Sequence, residues 1–122
     1  MSQTIQNEFR STVTAWISSH TDTNERMDCI WLFNDVYNAL KEGITHFWFF
    51  KTDGTLRSAY GTLNQDIIER HGGIPKKKKG PEKAFSGAVS YFDLEKDEWR
   101  SFKANAIKMM DHDYDIVNLE TI

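Results

Sequence analysis

The sequence predicts an α+β fold, in which an N-terminal helical hairpin packs on a small, strongly bent β-barrel of about five antiparallel strands. The segment 47–63, FWFFKTDGTLRSAYGTL, has two strand-like runs around Asp53 and Gly54, a step that suits a type I′ turn. A second hairpin-like run, 88–103, follows about one loop later. Ahead of both, apolar residues three and four apart predict helices.

Composition limits the classes of protein to consider. The 122 residues fit one domain, and 39% hydrophobic residues exclude global disorder. A net charge of −3 is too small to predict a partner by its sign. The single cysteine, Cys29, excludes an intrachain disulfide and is typical of a reducing compartment. Because no apolar run has the length of a signal peptide or a membrane span, we expect a cytoplasmic protein without membrane association.

The first 43 residues are expected to form the helical hairpin. Apolar residues recur at helical spacing within 5–20 and again within 24–42. Between them, Asp22 and Glu25 resemble a capping box, and Gly43 stands where a glycine in the left-handed region would end the second helix.

The barrel is assigned to residues 44–110. The first strand is apolar on both faces, which indicates burial on both sides, and Gly61 in the second strand predicts a bulge or sharp bend. Asn64 is expected to cap a short helical turn. A fifth strand that closes the barrel and a helical turn are nearly equal alternatives for 107–110, and 111–122 form an acidic tail of the same compact domain. The four other strands are expected at 44–51, 55–63, 84–92 and 99–103.

Two motifs carry a family resemblance. F-x-F-x-K-x-D-G-T-x-R-x-A-x-G-T-L fits 47–63, and Y-x-D-L-E-K-x-x-W-R-S-F fits 91–102. Together they resemble a family of small proteins from gut bacteria and their phages, described as an Sm-like SH3 β-barrel related to WYL domains. The resemblance covers 44–110 and leaves out the helical hairpin.

The resemblance implies ligand sensing, since WYL domains typically serve transcription factors and defence proteins and their proposed ligands are nucleotides or nucleic acids. The chain departs from WYL regulators because it shows no helix-turn-helix, and neither predicted helix has a basic face. For a phage protein of this size, the resemblance suggests an anti-defence role in the host cytoplasm, in which a host nucleotide signal is sequestered.

The strongest electrostatic feature is a lysine run between glycines and prolines: Lys76, Lys77, Lys78 and Lys79. Four ammonium groups could hold the phosphates of a nucleotide or a nucleic-acid backbone. The alternative is a solvated loop that keeps the protein soluble.

A second candidate ligand site combines two guanidinium groups with two rings on the predicted strands: Arg57, Tyr60, Trp99 and Arg100. Guanidinium groups grip phosphate through paired hydrogen bonds, and rings stack on bases. The alternative, which hairpins commonly show, is cross-strand pairing of the arginines with Glu98 or Asp53 and burial of both rings.

Other chemistry is not expected. His112 lies between two aspartates, but the remaining histidines have no ligand-like spacing with it, so we expect no metal. Cys29 is predicted to be a small core residue. No serine elbow and no phosphate-binding glycine motif is found, so no cofactor and no enzyme activity are expected.

The leading hypothesis is therefore a non-enzymatic binding protein for a small anionic ligand, with a nucleotide foremost. Small barrels have little interior space, so the site should lie on the surface or between the subunits of a homo-oligomer. The alternatives are a nucleic-acid-binding Sm-like module, and a protein-interaction module that inhibits a host protein through the exposed aromatic residues of the first strand.

Overall fold

The computed structural model describes residues 2–74 and 85–111, with side chains from residue 8 onward. Two long helices come first, followed by five strands with a short helix between the second and the third. In chain order the elements are α1 (Ser2–His20), α2 (Thr23–Glu42), β1 (Thr45–Phe50), β2 (Leu56–Thr62), α3 (Gln65–Arg70), β3 (Ala88–Asp93), β4 (Glu98–Lys103) and β5 (Ile107–Met110).

The five strands form one antiparallel sheet in the order β4-β3-β2-β1-β5, which confirms the predicted fold class. Strand β2 pairs with β1 from Leu56 to Gly61, but with β3 only at Gly61 and Thr62. A Cβ on Gly61 would lie 2.5 Å from the Tyr91 ring, so only glycine allows this close approach where β2 changes partner.

The sheet is not closed, and this corrects the expectation of a closed barrel. Strands β4 and β5 are its two edges, and among the described residues no ladder joins them. The connection between them explains this geometry. Ala106 donates its N–H to the carbonyl of Lys103 and accepts from the N–H of Phe50, so the turn directs β5 onto β1.

The helical hairpin and the sheet share one hydrophobic core. The strands supply the residues that point inward by period-two alternation, and the helices supply one apolar stripe each. The fully buried members include Val13, Ile17, Phe33, Val36, Leu40, Phe47, Ala59 and Tyr91. A smaller cluster on the other side of the sheet contains Ile67, Ile68 and Phe92.

Three predicted local details differ from the structure. Asp22 precedes α2 but makes no side-chain capping bond, since the N–H of Glu25 bonds to its backbone carbonyl instead. Gly43 follows α2 in an extended conformation, φ −178°, because the chain runs directly into β1. The Asp53-Gly54 hairpin exists, but it is not a type I′ turn.

The β1–β2 turn is a three-residue loop. Of Asp53 and Gly54, only Gly54 has a positive φ, +88°. The Gly54 N–H donates to the Lys51 carbonyl. The Lys51 N–H in turn bonds to the Thr55 carbonyl, as in loops that end in a glycine bulge. The Asp53 carboxylate accepts the backbone N–H and the hydroxyl of Thr55, at 3.0 and 2.6 Å, and these bonds lower the pKa of Asp53.

Two further predictions are confirmed. The side chain of Asn64 accepts the N–H of Ile67 at 3.2 Å and so caps α3. Of the two alternatives for residues 107–110, the structure has the strand.

Candidate functional site

Arg57 is held in place by a buried carboxylate. Its Nη2 lies 2.5 Å from Oδ2 of Asp93, whose side chain is fully buried, while 23% of the Arg57 side chain is exposed. The second oxygen of Asp93 accepts the backbone N–H groups of Glu95 and Lys96, at 2.9 and 3.1 Å. The turn after β3 therefore fixes Asp93, and Asp93 fixes the guanidinium.

Arg100 pairs with Glu98 two residues earlier on β4. This is one of the pairings named as the alternative to a ligand site. The hydrogen bond to Glu98 raises the pKa of Arg100 above its ordinary value. Both arginines therefore have a carboxylate partner, and only that of Arg57 is buried.

Tyr91 is the cross-strand partner of Arg100, and the charges of both arginines act on it. It points into the core from β3, it is fully buried, and its hydroxyl has no hydrogen-bond partner among the described residues. Burial raises the pKa of Tyr91 to about 12, and the charge of Arg57 opposes this rise. The hydroxyl is thus a buried neutral group at physiological pH.

The two predicted ring residues lie on the opposite face of the sheet from the arginines. Tyr60 stacks on His46 with ring centroids 4.1 Å apart, and Trp99 meets Phe92 edge to face at 5.7 Å. The Trp99 Nε1–H donates to the carbonyl of Ile74 at 2.9 Å. Both rings pack against the smaller core cluster, so the structure does not bring them together with Arg57 and Arg100.

The lysine run, Lys76 to Lys79, lies outside the described residues, and so does His112. Within the described ranges, no cluster of three or more histidine, cysteine or acidic side chains could hold a metal ion. The four-residue site and the lysine loop stay predictions, and Arg57, a member of the first, lines a cavity at the end of the sheet.

That cavity, which we call the cationic groove, has a volume of about 250 Å³. Its lining contains three cations and three phenylalanines, together with the hydroxyls of Thr52 and Ser101. Among the described residues that line the groove there is no aspartate or glutamate. The cations are Lys51, Arg57 and Lys103, and the phenylalanines are Phe49, Phe50 and Phe102.

Each lysine of the groove stands at the end of a strand. Lys51 follows β1, and its backbone closes the hairpin loop. Lys103 ends β4, and its Nζ donates to the carbonyl of Ser86 at 3.0 Å and lies 5.9 Å from the centre of the Trp16 ring. The Arg57 guanidinium lies 6.0 Å from the centre of the Phe49 ring. The groove thus combines anchored positive charge with aromatic surface.

Sequence reasoning missed Lys51 and Lys103 because the signal is not local. Each is an ordinary charged residue beside a hairpin, and only the fold brings the end of β1 close to the end of β4. For Arg57 and Tyr60 the sequence did carry a warning. Residues three apart on a strand face opposite sides of the sheet, so these two side chains were not expected to share one site.

The open five-stranded sheet, bent where β2 changes partner and covered by helices, is that of a small Sm-like SH3 barrel. The model of a family described as WYL_2, Sm-like SH3 beta-barrel fold, matches residues 33–108, more than half of the chain. The chain therefore belongs to the WYL_2 family. The match begins within α2 and leaves out α1.

No curated protein and no solved structure matches the chain. None of the described helices combines the length and the apolar character that crossing a bilayer requires.

Proposed function

We propose that the protein is a non-enzymatic binding protein that holds a small anionic ligand, foremost a nucleotide, in the cationic groove. The observation that carries this proposal is the lining: Lys51, Arg57 and Lys103 converge there, and no acidic residue is among the described lining residues. Asp93 offsets the charge of Arg57, so the two lysines supply the net positive charge that attracts an anion to this concave site.

The groove also has the parts that phosphate and base recognition require. The bond to Asp93 engages one of the five N–H donors of the Arg57 guanidinium and orients the group. The remaining donors can pair with phosphate oxygens, as guanidinium groups commonly do. Phe49, the cross-strand partner of Arg57 on the same face of the sheet, adds aromatic surface that could contact a base.

We further propose that binding occurs without turnover. Within the described lining, no histidine, carboxylate or cysteine is present to act as an acid, a base or a nucleophile. A protein that holds a nucleotide signal without consuming it lowers the free concentration of that signal. This is the sequestering, anti-defence role that the family resemblance suggests for a phage protein.

Calorimetric titration with ATP, AMP and inorganic phosphate tests the proposal. We expect ATP to bind best, because it has the most phosphate charges to pair with the groove. Lys51→Met and Lys103→Met should each weaken ATP binding about tenfold, the loss of one charge-assisted contact. Lys41→Met, a lysine outside the groove, is the control and should leave ATP affinity unchanged.

Two further measurements separate the remaining hypotheses. Replacing Lys76 to Lys79 with serines should weaken ATP binding without lowering the melting temperature, and unchanged affinity would remove that loop from the proposal. Native mass spectrometry of the purified protein reports a retained ligand and the number of subunits together, which tests a site shared within a homo-oligomer.

Failure of ATP, AMP and phosphate to bind would contradict the proposal. Binding of single-stranded DNA or RNA that weakens steeply with salt, without nucleotide binding, would support the nucleic-acid alternative instead.

One observation favours protein interaction as a second candidate function. On the outer face of the sheet, Phe50 and its cross-strand partner Leu56 are 42% and 51% exposed, and Met109 on β5 is 48% exposed. Met109 pairs with Trp48, so these side chains form one apolar patch next to an edge strand. A Phe50→Ser, Leu56→Ser variant should lose a protein partner that co-purifies with the wild type, and retention of that partner would contradict this function.

A further inference from the structure

A second cavity, which we call the hairpin cavity, lies between the helical hairpin and β3. Its volume is about 370 Å³, within the range of small-molecule sites. Both helices and the segment before β3 contribute rings to its lining: Phe9 from α1, Tyr37 from α2, and Phe85. Leu63 and Val89 complete an apolar surface.

The rings hold one another in place. The centroid of Phe9 lies 5.5 Å from that of Tyr37 and 5.9 Å from that of Phe85, the latter pair edge to face. Phe85 in turn meets Trp16 edge to face at 5.8 Å. Such offset and perpendicular pairs are the favoured arrangements, so the aromatic surface is set before any ligand arrives.

Two cations flank the Tyr37 ring. The Nζ of Lys41, which lines the cavity, lies 5.0 Å from the ring centre, and the Cζ of Arg10 lies 5.6 Å from it. Arg10 donates to the side-chain oxygen of Asn38, while its Nε is buried without a hydrogen-bond partner among the described residues. Neither cation forms a salt bridge with any carboxylate in the described part of the chain.

Among the described residues, the positive charge at this cavity therefore has no carboxylate partner. Burial, followed by the charge of Arg10, lowers the pKa of Lys41, which is the direction expected when two cations share a partly buried region without an anion. Burial also raises the pKa of Tyr37, so this ring remains neutral and cannot supply the missing negative charge.

We propose that the hairpin cavity binds a small planar aromatic carboxylate of one or two fused rings. Its ring system lies among Phe9, Tyr37 and Phe85, and its carboxylate pairs with Lys41, with Arg10 adding positive charge. The volume suits a ligand of one or two rings, the aromatic lining favours a flat apolar partner, and the two cations select an anion over a neutral compound.

This site is separate from the cationic groove. The two cavities share only Ala88 among their lining residues, and they use different lysines. A failure at one site is therefore distinguishable from a failure at the other.

The probe is 2-naphthoate, titrated into the full chain by calorimetry, with 2-naphthamide as its neutral counterpart and cyclohexanecarboxylate as its non-aromatic one. We expect 2-naphthoate to bind at least about tenfold more tightly than either comparison compound, because each lacks one of the two contacts. Lys41→Met should weaken the binding of 2-naphthoate about tenfold, and Lys41→Arg should keep most of the affinity. Lys51→Met, in the other cavity, should leave the affinity for 2-naphthoate unchanged.

Two readouts do not depend on the variants. In the unmodified protein, 2-naphthoate should shift the methyl resonances of Leu63 and Val89 and raise the pKa of Lys41, seen by NMR. An excess of AMP should not displace the probe. Equal affinity for 2-naphthoate and 2-naphthamide, unchanged affinity in Lys41→Met, or no binding at all would each overturn the proposal.

Discussion

At the scale of single residues, Arg57 and Arg100 show why two similar side chains have different value as ligand groups. Asp93 is fully buried and receives three hydrogen bonds, so Arg57 is oriented at the groove by a fixed partner. Arg100 and Glu98 are both partly exposed to water, where an ion pair contributes little. The ligand-binding proposal therefore rests on Arg57, whereas Arg100 and Glu98 form an ordinary surface ion pair between neighbours on one strand.

The Tyr91 hydroxyl gives a prediction with a defined pH range. Tyr91→Phe removes a buried hydroxyl that has no described partner, so we expect the free energy of unfolding at pH 7 to stay the same or to rise by up to about 1 kcal/mol. Above pH 10 the tyrosine of the unfolded chain loses its proton, whereas in the folded protein its pKa is about 12. Ionisation then favours the unfolded state, and stability falls as pH rises between these values.

Tyr91→Phe has no hydroxyl at this position, so its stability does not fall in this way as pH rises. Urea unfolding of both proteins at pH 7, 9, 10 and 11 should show a gap that widens from pH 10 in favour of Tyr91→Phe, by roughly 1.4 kcal/mol at pH 11. Tyr60→Phe, a tyrosine on the other face of the sheet, is the control. A constant gap across these pH values would contradict the burial argument.

At the scale of elements, α1 lies outside the family match but inside the core. Val13 and Ile17 are fully buried, in the same cluster as Phe47 and Tyr91 of the sheet. The end of α2 is tied to the sheet as well, since the Thr62 hydroxyl donates to the Gly43 carbonyl at 2.7 Å. The hairpin is therefore structurally continuous with the barrel.

This continuity predicts that damage to α1 destabilises the whole protein. Ile17→Ala should lower the free energy of unfolding by about 3 kcal/mol, the usual cost of a cavity in a packed core. Ser11→Ala, at an exposed position of the same helix, should change it by less than about 0.5 kcal/mol. Tryptophan fluorescence and far-UV circular dichroism should give coincident urea transitions, and separate transitions would show that the hairpin and the barrel unfold independently.

The elements also show what the sequence could predict. Helical spacing and strand alternation are local, so the hairpins, both long helices and the α3 cap were predictable. The turn at Asp53 was assigned wrongly, because the hydrogen bonds of that residue to Thr55 stabilise a different loop. The pairing of Arg57 with Asp93 and the presence of Lys51 and Lys103 in the lining of one groove depend on how distant strands are arranged, which no local pattern encodes.

At the scale of the whole molecule, the two cavities differ in the number of cations in their linings and so suit anions of different charge. The cationic groove has an arginine and two lysines around phenylalanines, as suits a polyanion such as a nucleotide. The hairpin cavity has one lining lysine in an apolar aromatic surface, as suits a monoanion. Since neither cation set overlaps the other, the two ligands should bind at the same time.

Simultaneous binding has a measurable thermodynamic consequence. A ligand present at about 100 times its Kd stabilises the folded state by about 2.7 kcal/mol, and two ligands at independent sites together by about 5.4 kcal/mol. Two ligands that compete for one site would give only about 3.1 kcal/mol together. Urea unfolding with ATP, with 2-naphthoate and with both therefore counts the sites directly.

We expect the two stabilisations to add. Lys51→Met should remove most of the ATP increment and leave the 2-naphthoate increment intact, and Lys41→Met should do the reverse. A joint value near that of either ligand alone would mean that both occupy one site, in which case the assignment of separate lysines to separate anions is wrong.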